Sequence, residues 1–164
     1  MSPPAFKTLI SQLGEGAFGK VVRSYHRKLG YFAAVKVFHD NEKTELEEET
    51  TIIELLKGIS YVLPILAKCS TPPCTWFAMP LFGSSLSDEL RKQGRLRAAA
   101  MFAFAAQLCD AVQAIHAASV LHLDLKPGNI IAAMAKVQYT RPCYAHVHRG
   151  SCRLRDTFAV RRNI

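Results

Sequence analysis

The residue types that could do chemistry are densest in the stretch V-L-H-L-D-L-K-P-G-N-I, residues 120–130. The carboxylate of Asp124 can accept the proton of a substrate hydroxyl. The ammonium group of Lys126 can neutralise a phosphate during its transfer, and the amide oxygen of Asn129 can ligate a metal ion. An acid, a lysine and an amide in one short loop therefore indicate phosphate chemistry.

A glycine-rich segment, L-G-E-G-A-F-G-K-V, occupies residues 13–21 with the spacing G-x-G-x-x-G. Glycines let backbone N–H groups approach phosphate oxygens without a side chain in the way. The same spacing also opens dinucleotide-binding folds, where a helix follows. Here residues 20–25 read as a strand, which favours a β-hairpin over a nucleotide. The candidate contacts are Leu13, Gly14, Glu15, Gly16, Ala17, Phe18, Gly19, Lys20 and Val21.

A third segment, A-A-V-K-V at residues 33–37, lies on a predicted strand and resembles the V-A-I-K motif of protein kinases. With the glycine-rich segment before it and H-x-D-x-K-P-x-N after it, residues 8–133 resemble the eukaryotic-type protein kinase family. The pair Lys126-Pro127 is typical of its Ser/Thr class. Leu123, with L-F-G-S-S upstream, is more distantly similar to Mos-like kinases.

The resemblance implies a role for each matching residue. Asp124 would be the catalytic base, Lys126 would steady the transferred group, and Asn129 would ligate Mg²⁺. Lys36 would hold the α- and β-phosphates of ATP. The cofactors implied are ATP and Mg²⁺, and the partner is a protein substrate. The adenine would contact Ala34, Met79 as gatekeeper, and Leu81 and Phe82 as the hinge.

Lys36 needs a helix glutamate to orient it, and three candidates stay open. Glu54 is favoured because it lies 18 residues after Lys36, close to the usual kinase separation. Glu49 has the better helical setting, with apolar residues at i+4 and i+7. Glu48 has a similar setting.

The chain contains no D-F-G, whose Asp is the main Mg²⁺ ligand in the family. The nearest segment, Asp156-Thr157-Phe158, has the wrong order, and A-P-E is absent as well. Leucine at position 123 replaces the usual arginine, so control by activation-loop phosphorylation is not expected. Two hypotheses follow: a Ser/Thr kinase that transfers the γ-phosphate of ATP, or a truncated kinase fragment that binds nucleotide or protein without turnover.

The elements that must position these residues change in type along the chain. Strands are predicted near 6–13, 20–25, 31–38, 64–69 and 75–79, and helices over 41–57, 87–93 and 97–118. Ser85 or Ser87 can cap the second helix. This order predicts an α+β, protein-kinase-like fold, with a complete β-rich N-lobe at about 6–82 and a partial helical C-lobe at about 83–135.

The helix predicted over 97–118 is apolar almost all round, which favours burial in a lobe over a membrane span. The later C-lobe segments that would cover it are missing from the sequence. We therefore expect an exposed apolar face that a protein partner could cover.

Charge divides the chain into two regions, a kinase-like domain at 1–135 and a basic tail at 136–164. The tail holds seven Lys/Arg and one Asp, whereas residues 1–135 hold 14 Lys/Arg and 12 Asp/Glu. It is predicted to be non-homologous and poorly ordered. Nucleic-acid binding is not favoured, since aromatics are not interleaved with the charges. A zinc site is not favoured either, because the spacing of its possible ligands matches no common zinc finger. Those ligands would be Cys143, His146, His148 and Cys152.

The first residues, M-S-P-P, lack the basic and apolar regions of a signal peptide, so secretion is not expected. Five scattered cysteines do not suggest a disulfide framework. The sequence therefore predicts an intracellular protein, cytoplasmic or nuclear.

Overall fold

The computed structural model describes residues 6–16, 18–27, 30–39, 43–71, 74–132 and 158–160. Its first half is a five-stranded antiparallel sheet with the strand order β1-β2-β3-β5-β4. The strands are β1 (Phe6–Gly16), β2 (Gly19–His26), β3 (Tyr31–Phe38), β4 (Ala67–Thr71) and β5 (Cys74–Pro80). The strand predicted over 64–69 begins later, at Ala67.

The sheet buries side chains on both of its faces. Because successive side chains of a strand point to opposite faces, the buried side chains form two clusters. On β3, Ala34 belongs to a cleft-side cluster and Val35 to an outer cluster. The cleft-side cluster consists of Val21, Ala34, Phe38, Leu46, Leu63, Phe77 and Met79. The outer cluster consists of Val22, Ala33, Val35, Trp76 and Ala78.

Helix α1 (Lys43–Leu55) packs on the cleft side of this sheet. It buries Leu46, Glu49 and Thr50, which share one helical face at the i, i+3 and i+4 spacing. Just beyond the helix, Leu56 packs with Ile115 and Val120 in a third cluster. This cluster joins the sheet-bearing half to the helical half.

Helix α2 (Leu86–Gln93) begins with a capping box. The Ser85 hydroxyl accepts a hydrogen bond from the N–H of Asp88, and the Asp88 carboxylate accepts one from the N–H of Ser85. The prediction of a cap at Ser85 is confirmed, and Ser87 lies inside the helix.

Helix α3 (Ala98–Ala117) is largely exposed, as expected of an apolar helix without the later C-lobe segments. Only Ala111 and Ile115 are buried against the described residues. By length and composition alone, α3 could cross a membrane. Its contact with Leu56 and Val120 through Ile115 places it as an element of the domain.

The chain after α3 forms a loop, a single 3₁₀ turn at Pro127–Asn129, and strand β6 (Ile130–Ala132). Strand β7 (Phe158–Val160) pairs antiparallel with β6. Residues 158–160 of the basic tail thus form a strand, and the division of the chain at residue 135 stays a prediction. The remaining tail, with the zinc candidates, lies outside the described residues. The predicted α+β class, with a β-rich N-lobe and a partial helical C-lobe, is confirmed.

Candidate functional site

A cavity of about 740 Å³ lies between the sheet and the segments that follow it. The hairpin of β1 and β2 and strand β3 form one side, and the start of α2 and the loop at 122–129 form the other. Segments far apart in sequence thus meet at one space. The residues predicted from the sequence that line it are Leu13, Gly14, Glu15, Gly16, Phe18, Gly19, Val21, Ala34, Lys36, Met79, Leu81, Phe82, Asp124, Lys126 and Asn129.

The glycine-rich segment forms the tip of the β1–β2 hairpin, where Gly16 pairs with Gly19. A Cβ at Gly19 would lie 2.2 Å from the carbonyl oxygen of Val37, so this glycine is required by close packing on β3. A Cβ at Gly14 would have nothing within 4 Å. Packing therefore does not explain Gly14, and its bare backbone lies open toward the cavity.

Lys36 points into the cavity from β3, on the same face as Ala34. Its ammonium donates to the carboxylate of Glu49 on α1, and both side chains are almost fully buried. The ammonium also lies 4.8 Å from the centroid of the Phe38 ring. The pair holds the lysine at a set place on the cavity wall.

The glutamate that reaches Lys36 is thus Glu49, and the sequence-based preference for Glu54 is wrong. Five residues along a helix turn the side chain by ~140° around the axis, so Glu49 and Glu54 cannot both face the sheet. Glu54 lies on the solvent side, with its carboxylate 3.5 Å from the ammonium of Lys57. Glu48 is also exposed. The separation of 18 residues from Lys36 does not identify the right glutamate, because it includes the loop before α1 as well as the helical turns.

The part of the cavity beneath the sheet is apolar. Ala34 pairs with Met79 across β3 and β5, and Val21 joins them in the cleft-side cluster. Leu81 and Phe82 are half-buried against this cluster where the chain leaves β5. These side chains offer a flat apolar ligand contacts from the sheet and from the connecting segment.

The loop at 122–129 is folded by its own side chains. The amide of Asn129 donates to both the backbone oxygen and the Oδ2 of Asp124, each at 2.8 Å. The ammonium of Lys126 lies 2.9 Å from the same Oδ2. His122 is buried, and its Nδ1 accepts a hydrogen bond from the N–H of Asp124. The three chemically active side chains therefore share one carboxylate oxygen.

These contacts stabilise the ionised form of Asp124. The pKa of its carboxyl lies below the usual value, first because Lys126 donates a hydrogen bond to it and then because Asn129 does. Lys126 and His122 also act through charge, while partial desolvation opposes the shift. Asp124 is thus a carboxylate at neutral pH, as a proton acceptor must be.

Comparison with known proteins agrees with this geometry, since the model of the protein kinase domain matches residues 8–140. The chain belongs to the protein kinase family. Curated relatives place this kinase domain in the eukaryotic-type Ser/Thr group. It is 34% identical over 129 residues to serine/threonine-protein kinase Pkn1 of Myxococcus xanthus, covering 74% of this chain and 18% of that protein.

Other relatives point the same way. The kinase domain is 27% identical over 130 residues to serine/threonine-protein kinase 10-A of Xenopus laevis, covering 77% and 14% of the two chains. It is 32% identical over 127 residues to CBL-interacting serine/threonine-protein kinase 9 of Arabidopsis thaliana, covering 73% and 28%. The chain thus spans less than a third of the length of each of these relatives.

Sequence reasoning missed several residues that line the kinase cleft. Arg23 lies two residues after Val21 on β2, so strand alternation could have revealed it. Its guanidinium stacks over Phe32, with 4.2 Å between Cζ and the ring centroid. Ile131 lies on β6, just after the 3₁₀ turn that carries Asn129. Leu63 lies in an irregular connection, where no period applies.

Two predicted contacts of the glycine-rich segment fare differently. Lys20 does not line the kinase cleft, because it alternates with Gly19 and Val21 on β2 and so points to the other face. Its expected role in nucleotide binding stays a prediction. Ala17 lies outside the described residues.

Protein kinase domains generally use ATP with a divalent metal, so the oxygen ligands near Asn129 decide whether Mg²⁺ fits here. Mg²⁺ needs a near-octahedral oxygen shell, usually from one or two carboxylates plus phosphates. Asp124 is the carboxylate beside Asn129, and its Oδ2 is bonded to Lys126. The described residues contain no cluster of three His, Cys, Asp or Glu side chains suited to a metal. Asp124 and Asn129 are the described side chains that would hold Mg²⁺, and phosphate oxygens of the nucleotide would have to complete its shell.

Proposed function

We propose that this chain is the ATP-binding and catalytic part of a Ser/Thr protein kinase, transferring the γ-phosphate of ATP to Ser or Thr hydroxyls of a protein substrate. One observation carries the proposal. The buried Lys36–Glu49 pair and the Asp124–Lys126–Asn129 loop face the same cavity, beneath a glycine hairpin with open backbone.

Each side chain has a task that its position permits. The apolar part of the cavity beneath β3 and β5 takes the adenine, and Lys36 meets the α- and β-phosphates. Asp124 accepts or orients the proton of the substrate hydroxyl while the hydroxyl oxygen bonds to the γ-phosphorus. The bond from that phosphorus to the bridging oxygen breaks, and ADP leaves. Lys126 steadies the transferred group.

A second candidate is a kinase-derived module that binds nucleotide or a protein partner without turnover. The single carboxylate beside Asn129 favours it, because charge on the transferring phosphate would be poorly neutralised. The chain's missing D-F-G motif supports the same candidate.

The test is ATP binding and phosphate transfer to Ser- and Thr-containing peptides by the purified chain, beside Asp124→Asn. We expect the variant to bind ATP with little change and to lose at least ~10²-fold of the transfer rate, the range for removal of a general base. Asp110→Asn is the matched control, because Asp110 is exposed on α3. Transfer that survives in Asp124→Asn contradicts the catalytic role. Binding without transfer in the unaltered chain supports the second candidate.

Several further expectations belong to this proposal. The kinase-like domain extends over 1–135, a protein substrate is the main partner, and the protein acts inside the cell without binding membrane or nucleic acid. The exposed face of α3 suits a protein partner, since only Ala111 and Ile115 of that helix are buried against the described residues.

A further inference from the structure

The loop at 122–129 contains a backbone conformation that is uncommon in proteins. Among the described residues, two that are not glycine have a positive φ, Ser119 and Leu123, each at 59°. A side chain with a Cβ rarely adopts this left-handed conformation, because the Cβ then lies too close to the following carbonyl oxygen. Strained backbone of this kind clusters at functional sites. Each of the two residues therefore needs an explanation.

The conformation of Ser119 is explained by the end of helix α3. The N–H of Ser119 donates to the carbonyl oxygen of His116, and the N–H of Val120 donates to that of Ile115. These two bonds form a Schellman motif, in which the residue after the helix cap is left-handed. Leu123 lies further on, between α3 and the 3₁₀ turn, so this helix end does not explain it.

Leu123 is the central residue of a tight turn that leads into Asp124. The N–H of Asp124 donates to the carbonyl oxygen of His122 at 2.8 Å, across a single intervening residue. With a positive φ at its centre, this is a γ-turn of the rare, strained kind. The side chain of Leu123 is 83% exposed, so its own packing does not hold the turn.

The residues on either side of Leu123 hold the turn in place. His122 is buried, and its Nδ1 accepts a second hydrogen bond from the N–H of Asp124, at 3.3 Å. The amide of Asn129 donates to the backbone oxygen of Asp124 at 2.8 Å. The turn thus reverses the chain between a buried histidine and a carboxylate that lines the cleft.

We propose that Leu123 is a positioning residue for phosphate transfer, because its left-handed backbone directs the carboxylate of Asp124 into the cleft. The position requires tolerance of a positive φ and not a contact made by the leucine side chain. Glycine adopts this conformation without strain, whereas a β-branched residue is strongly disfavoured in it. The effect on the transfer rate rests on the proposed function; the effect on the Asp124 carboxyl does not.

The experiment compares the unaltered full chain with Leu123→Ile, Leu123→Gly and Leu121→Ile. Leucine and isoleucine contain the same atoms, so Leu123→Ile moves a branch to Cβ without changing size or charge. Leu121→Ile is the matched control, because Leu121 is also exposed and its φ is not positive. Leu123→Gly tests the same position without the risk that a strained residue prevents folding.

Three measurements are made on each protein. Calorimetry gives the Kd of ATP, transfer to a Ser- or Thr-containing peptide gives kcat, and a carbon-13 NMR titration gives the pKa of the Asp124 carboxyl. Far-UV circular dichroism verifies that the four proteins fold alike.

We expect Leu123→Ile to lower kcat by about tenfold or more, because a small displacement of a catalytic group has an effect of that size. The Kd of ATP changes by less than about twofold, since the defect lies in the reaction and not in ground-state binding. The pKa of Asp124 rises toward its usual value, because its carboxyl leaves the hydrogen bonds from Lys126 and Asn129. Leu123→Gly and Leu121→Ile keep the lowered pKa.

Three results overturn the inference. In the first, Leu123→Ile keeps both the kcat and the Asp124 pKa of the unaltered chain. In the second, Leu121→Ile changes these quantities as much as Leu123→Ile does. In the third, Leu123→Gly raises the pKa of Asp124 to its usual value, which assigns the effect to the lost leucine side chain. An unaltered chain that transfers no phosphate contradicts the proposed function, and the titration of Asp124 then decides the inference by itself.

Discussion

Two lysine–carboxylate pairs face the same cleft from opposite sides, and they differ in how they form. The side chains of Lys36 and Glu49 are 5% and 3% exposed, while those of Lys126 and Asp124 are 55% and 34% exposed. The first pair joins a strand to a helix 13 residues later; the second spans two residues of one loop. The first pair depends on packing between elements, whereas the local chain alone can form the second.

This difference sets what each pair can do. A buried charge without its partner is destabilising, because the protein interior does not replace the lost water. The Lys36–Glu49 pair therefore couples the position of α1 to that of β3. The exposed pair is screened by solvent and contributes little to stability. Its consequence is chemical, since it lowers the pKa of Asp124.

The largest effect is expected from breaking the buried pair. Glu49→Ala leaves the Lys36 ammonium buried without this partner and should lower the free energy of unfolding by ~3–5 kcal/mol. Glu54→Ala also removes a carboxylate from this helix, but that carboxylate belongs to an exposed ion pair. It should therefore lower the free energy of unfolding by less than ~1 kcal/mol. Urea unfolding followed by circular dichroism measures both.

The double variant Lys36→Met/Glu49→Ala sharpens this prediction. It removes both buried charges, so it should be more stable than Glu49→Ala alone. Equal losses for Glu49→Ala and Glu54→Ala would contradict the pairing seen in the structure.

A smaller effect on stability is expected at the cap of α2, which borders the cleft. Like the exposed pair, this cap depends on local contacts. Ser85→Ala should lower the free energy of unfolding by ~1 kcal/mol at neutral pH. Ser87→Ala is the control, because Ser87 lies within the helix and alanine favours helices. A larger loss of unfolding free energy in Ser87→Ala than in Ser85→Ala would contradict a cap at Ser85. Thermal or urea unfolding at pH 7 decides between them.

The cap should also respond to acid. The pKa of Asp88 lies below its usual value, first because of the hydrogen bond from Ser85. A lowered pKa means that the carboxylate stabilises the fold at neutral pH and that this contribution is lost as pH falls through the lowered pKa. The difference between Ser85→Ala and the unaltered chain should therefore shrink only in strong acid.

The smallest effect on stability, but a distinct chemical one, is expected at Lys126. Lys126→Met removes the largest cause of the lowered pKa of Asp124, so that pKa should rise toward its usual value. The acidic limb of a pH–rate profile then moves to higher pH. A carbon-13 NMR titration of the Asp124 carboxyl measures the same change without turnover. The control is Lys92→Met, because Lys92 is an exposed lysine on α2. An equal rise of the Asp124 pKa in this control would contradict a specific contact with Lys126.

The sequence predicted most of the cleft, because the motifs that carry it are local. Gly14, Lys36, Asp124 and Asn129 were all found from spacing and residue type, and each faces the cavity. Glu49 was only one of three candidates, since its partner comes from another element. The exposure of α3 is expected from the absence of later C-lobe segments and not from its composition, because an apolar helix has the same composition with or without neighbours to cover it.

By itself, the sequence determined the order of strands and helices, the hairpin at the glycines and the contacts within the loop at 122–129. Those features depend on residues that are close along the chain, where periodicity and hydrogen bonding act directly. The tertiary structure decided that Glu49 meets Lys36 and that β7 pairs with β6. Both depend on how separate elements pack and pair in space, and separation along the chain does not specify that.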